Sequence, residues 1–93
     1  MSGYIYVATT SYCETQSIYM ISVSMINPII IIDNMNEYLT DKLKLLNKYE
    51  CDNIYFYQHN IYDDLDEYRT DKKTFFKCNL DHINKIINEL LII

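Results

Sequence analysis

Gly3-Tyr4-Ile5-Tyr6-Val7-Ala8-Thr9 and Ser17-Ile18-Tyr19-Met20-Ile21-Ser22-Val23-Ser24 are the two runs whose reading decides the fold. Both are rich in β-branched and aromatic residues, which suit a pleated, half-buried surface, so each reads as a strand. The polar stretch from Thr9 to Gln16 reads as a turn. So short a connection joins the strands most economically as an antiparallel hairpin.

Outward from this hairpin, Pro28 precedes Ile29-Ile30-Ile31-Ile32. Four successive isoleucines point to both faces of a strand and predict one covered on both sides, with Pro28 at its start. If one face is exposed instead, it becomes a pairing edge and a dimer contact. Asn34, with Glu37 three residues on, resembles a capping box and opens a helix over 34–49. Its apolar face would carry Met35, Tyr38, Leu39, Leu43, Leu46 and Tyr49. Residues 53–58 read as a further strand, and Asn60 as the cap of a short helix over 61–68 with Ile61, Leu65 and Tyr68 inward. A short strand at 74–78 and a last helix over 80–92, striped by Leu80, Ile83, Ile87, Leu90 and Leu91, complete the chain. The expectation is an α+β domain spanning 1–93: a small antiparallel sheet, the N-terminal hairpin plus later strands, packed with about three helices.

Composition narrows the function classes. With 49% hydrophobic and 23% charged residues, the 93-residue chain is no disordered tail, and it is too short for a second core. Eight basic residues against thirteen acidic ones leave a net charge of −5. That balance argues against a nucleic-acid partner, because phosphate-backbone affinity comes from clustered Lys and Arg. No apolar run is long enough to span a membrane, and no signal peptide is expected. Three cysteines, an odd number without close spacing, fit a reducing, intracellular setting. One glycine and one proline amid abundant Ile, Asn, Tyr and Lys is a mix that AT-rich coding produces, as in a large DNA virus, a phage or another AT-rich genome.

Gly3-Tyr4-Ile5-Tyr6-Val7, then Ile18-Tyr19-Met20-Ile21-Ser22 one hairpin later, resembles the compact GIY-YIG nuclease domain, in the branch found in phages and large DNA viruses. Tyr68-Arg69, Thr74-Phe75-Phe76-Lys77 and Leu80-Asp81 resemble that branch's C-terminal part. The resemblance implies phosphodiester hydrolysis, with a tyrosine as base, a helical arginine on the phosphate and a glutamate holding Mg²⁺ or Mn²⁺. Carried over residue by residue, Tyr6 stands at the first-motif tyrosine, and Tyr19 lies in the second motif. Met20 and Ser22 depart from that motif, Ser22 replacing its glycine. The helix expected at 34–49 has no arginine; Lys42 and Lys44 are its candidates, and lysine lacks the bidentate guanidinium fork. Gln58 falls near the metal glutamate, and a neutral amide is a poor sole ligand for a hard cation. The acidic residue before the phenylalanine pair is Thr74.

Tyr6, Tyr19, Lys42 and Gln58 are therefore read as vestigial catalytic positions, with no cofactor expected unless nuclease activity remains. A zinc site from Cys51, His59, Cys78 and His82 is rejected on its loose spacing. A calcium loop in Asp63-Asp64-Leu65-Asp66-Glu67 is rejected because the run suits a solvated helix face. Tyrosines on the hairpin (Tyr4, Tyr6, Tyr12, Tyr19) and at Tyr55 and Tyr57 would form a protein-binding face. The expected function is a non-catalytic interaction module with a protein partner or a second copy. The alternatives are a metal-dependent DNA endonuclease with residual activity and a virion or assembly component unrelated to nucleases.

Overall fold

In the computed structural model, which describes residues 1–91, the two N-terminal runs pair as expected. Strand β1 (Gly3–Thr10) lies antiparallel to β2 (Ile18–Ser24), with Tyr6 opposite Ser22 and Ala8 opposite Met20. The loop between them holds a short helix, α1 (Ser11–Thr15), where the Thr10 hydroxyl accepts from the Cys13 N–H at 3.1 Å. Gly3 is fixed by a close approach: a Cβ there would stand 2.4 Å from the Ser24 carbonyl oxygen and 3.1 Å from the Met25 Cα. Both are backbone atoms, so β1 and β2 would have to part to admit a side chain.

The isoleucine run is a helix, not a strand. Helix α2 (Pro28–Asn36) starts at Asn27, whose side chain accepts from the Ile29 N–H, with Pro28 in the first turn. Proline there loses no helical hydrogen bond, and its fixed φ suits the helix. Pro28 and Ile32, one turn apart, are buried, whereas Ile29 and Ile30 are 43% and 49% exposed. Tertiary packing of one helical face has overridden the β preference of the isoleucines.

The helix expected over 34–49 is likewise corrected. Its first residues finish α2, and Leu43–Cys51 forms strand β3, antiparallel to β1. Between Val7 and Ala8 the register shifts: Ala8 faces Leu45 while Val7 faces Asn47, which leaves Leu46 as a bulge. Leu45 therefore packs with the cluster around Tyr6, and Leu46 and Tyr49 with the one around Ile5. The extra residue destroys the alternation of two and leaves spacings of three and four that imitate a helix.

The strand expected at 53–58 is instead the start of α3 (Ile54–Asp64). Asn53 enters it in the left-handed region (φ 55°), which asparagine tolerates better than most residues. Ile54, Ile61 and Leu65 are fully buried, so Tyr55 and Tyr57 belong to a helix. Asn60 caps nothing; its amide donates to the Phe56 carbonyl. A 3₁₀ turn (Asp66–Tyr68) follows, then β4 (Phe75–Lys77) and α4 (Leu80–Leu91). Residue 92, the end of the expected last helix, lies outside the described residues. The fold is α+β: one antiparallel sheet in the order β3-β1-β2-β4, with four α-helices among the described residues.

The core has two parts. On one face Ile5, Val7, Tyr19, Ile21 and Phe76 meet Ile61 of α3, Leu65 just beyond its end, and Ile83 and Ile87 of α4. On the other, Tyr6, Ala8, Met20 and Leu43 meet Ile32 of α2. No helix is long and apolar enough to cross a membrane among the described residues.

Candidate functional site

Helix α3 places Gln58 and Tyr62 one turn apart, and the two side chains form a short relay. The Gln58 amide donates to the Tyr62 hydroxyl at 3.3 Å, and that hydroxyl donates to the Ile21 carbonyl of β2. Ile21 is the first β2 residue beyond the register with β4, and its N–H is taken by the Thr74 carbonyl at 2.9 Å. Tyr62 therefore completes the hydrogen bonding of an otherwise open strand end.

Arg69 covers this relay. Its guanidinium lies 4.9 Å from the centroid of the Tyr62 ring and 5.5 Å from that of Phe76, within cation–π range. One nitrogen donates to the Tyr62 carbonyl at 3.4 Å, and Nε lies 3.7 Å from Asp66. Beside it opens a cleft of about 380 Å³ lined by Tyr55, Gln58, His59, Tyr62, Asp63 and Arg69. Its one carboxylate, Asp63, faces His59 Nε2 at 3.2 Å.

Burial pushes the Tyr62 phenol above its ordinary value; hydrogen bonding from Gln58 and the charge of Arg69 oppose the rise, and Tyr6 adds to it. Near neutral pH this hydroxyl is a hydrogen-bond donor rather than a proton acceptor. Among the described residues, no three His, Cys, Asp or Glu side chains are grouped so as to hold a metal ion. The cleft offers a neutral amide, a phenol and a partly covered guanidinium, which is chemistry for hydrogen bonding and stacking.

The four positions expected from the sequence do not converge on one site. Gln58 on α3 bonds Tyr62, whereas Tyr6, 3% exposed on β1, packs in the cluster under α2. Tyr19, 7% exposed and opposite Phe76, packs in the cluster on the other face of the sheet from Tyr6. Lys42 sits in the loop before β3, where its ammonium binds the Asn36 carbonyl at the end of α2. It is a helix-terminus contact, not a helical residue facing the cleft. Lys44, on β3, bonds Glu14 at 2.8 Å. The helix that follows the hairpin, α2, contains neither lysine nor arginine.

Sequence reasoning missed Tyr62. Its signal was available as the i, i+4 partner of Gln58 once residues 54–64 are read with a helical period.

A second hollow, about 710 Å³, opens on the α2 side of the sheet over Ile18, Met20, Met35, Leu39, Leu43 and Phe75. Comparison of the chain with family models, curated proteins and solved structures finds no match in any of the three.

Proposed function

We propose that this chain is a non-catalytic GIY-YIG-like domain, of the kind found in phages and large DNA viruses, acting inside the cell as a protein-interaction module. The observation that carries the proposal is the relay on α3: at the position read for the metal-binding glutamate stands Gln58, whose amide is spent on the Tyr62 hydroxyl. An amide committed as a donor brings no negative charge to a hard cation. The order hairpin, helix, strand supports the ancestry, since α2 stands where that family enters a helix. Loss of catalysis is supported by the absence of any basic residue from α2. The interaction role is supported by Tyr12, Tyr55 and Phe56, each more than half exposed, and by the apolar hollow beside α2.

The test is incubation of the purified chain and a Tyr6→Phe variant with labelled DNA in Mg²⁺ or Mn²⁺. No cleavage above background is expected from either protein. Cleavage by the wild type that Tyr6→Phe abolishes would establish the metal-dependent endonuclease instead.

A further inference from the structure

The sheet finishes its two edges differently. On the β4 side the chain closes its own edge: Thr70 donates to the Phe75 carbonyl at 2.9 Å, and Arg69 forms an isolated bridge with Phe76. The other edge is β3, nine residues long. Among the described residues its backbone bonds β1 and, beyond that, only Asn36. The Asn36 side chain accepts from the Leu43 N–H at 2.7 Å and donates to the Leu43 carbonyl at 2.8 Å. From Lys44 onward the outer side has no partner.

Lysines commonly blunt such an edge. Here both are drawn back across their own sheet. Lys44 reaches Glu14 at 2.8 Å; Lys48 reaches Asn27 at 3.2 Å and lies 5.7 Å from the centroid of the Tyr4 ring. Beyond the bulge, Asn47–Cys51 is regular, with neither glycine nor proline to interrupt pairing. In it Lys48 and Glu50 stand opposite Tyr6 and Tyr4, so they share one face, with Tyr49 between them on the other.

A strand carrying Lys-Tyr-Glu is complementary to itself. Laid antiparallel about a twofold axis at Tyr49, Lys48 of each copy opposes Glu50 of the other on the same face, so both cross-strand pairs are of opposite charge. We propose that β3 pairs with β3 of a second copy in this register, joining two four-stranded sheets into one. The proposal names a partner for the interaction reading above and needs no nuclease ancestry.

Sedimentation equilibrium of the full chain tests it. The wild type is expected to dimerise. Glu50→Lys and Lys48→Glu should each weaken the dimer about tenfold or more, since each sets like charges opposite one another twice. The double variant K48E/E50K should return to within about threefold of wild type. Both residues are exposed, and circular dichroism should show the fold unchanged. A monomer at about 1 mM chain overturns the proposal. So does a dimer that neither single swap weakens, or a double variant that stays weak. The DNA assay is blind to this edge, so either proposal can fail without the other.

Discussion

Over one face of the sheet, α3, the Leu65 that ends it and α4 lay Ile61, Leu65, Ile83 and Ile87 against Ile5, Val7, Tyr19, Ile21 and Phe76. Over the other, α2 brings Ile32 to Tyr6, Ala8, Met20 and Leu43, and an apolar hollow of about 710 Å³ remains beside it. The first face has two helices to exclude water and the second has one short one. Buried apolar area is the main source of folding free energy, so the two-helix face holds the fold together. The one-helix face leaves Ile29, Ile30, Met35 and Leu39 at least 36% exposed, and is free to meet something else. Apolar surface is thus covered on one side of the small sheet and left partly open on the other.

Cutting a large side chain from each face should separate the two sides most clearly. Phe76→Ala removes a fully buried ring from the two-helix side and should cost about 4 kcal/mol. Ile32→Ala, whose neighbours Met20 and Leu43 line the hollow and have room to relax, should cost about 2 kcal/mol. Urea unfolding followed by circular dichroism measures both, and equal losses would remove the distinction. Tyr62→Phe comes next, at about 1 kcal/mol, because it leaves the Ile21 carbonyl without its donor and Gln58 without its acceptor.

The smallest effect expected is on the alkaline side of the stability–pH curve. Burial raises Tyr62 and Tyr49 above 10.0 and Cys78 above 9.0; burial, helped by Asp52, likewise raises Cys51 above 9.0. The folded chain holds these protons more firmly than the unfolded one. Their stabilisation is complete below about pH 9 and declines as pH rises through the raised values. Thermal melts between pH 7 and pH 11 should show that decline, and Tyr62→Phe should flatten part of it. A melting temperature that climbs over the range would reverse the sign.

The elements legible from sequence share one property: their local preference and their tertiary use agree. The 3–24 hairpin, the short strand at Phe75–Lys77 and the last helix, whose Ile83 and Ile87 are fully buried, belong here. The elements misread are those where preference and packing conflict. Ile29–Ile32 prefer a strand, but Asn27 and Pro28 start a helix that needs only one of its faces covered. Tyr55-Phe56-Tyr57 look like strand residues until Ile54, Ile61 and Leu65 are seen to share a helical face. Within the site, Gln58 was legible as a type of residue at a chain position. Its partner Tyr62 was not, because residues 53–58 and 61–68 had been given to separate elements.

Gly3 bears on which substitutions the chain can absorb. The Ser24 carbonyl and the Met25 Cα occupy the space a larger residue would need, so the glycine that opens the chain's most recognisable stretch is imposed by strand packing. It answers to architecture: whatever the chain does, any larger residue here must push two strands apart. Position 58 is under no such compulsion, because Gln58 is half-buried on a helix and makes a single side-chain bond to Tyr62. The two positions should therefore differ in tolerance, a side chain at Gly3 prising open the seam between β1 and β2 while one at 58 costs a single hydrogen bond.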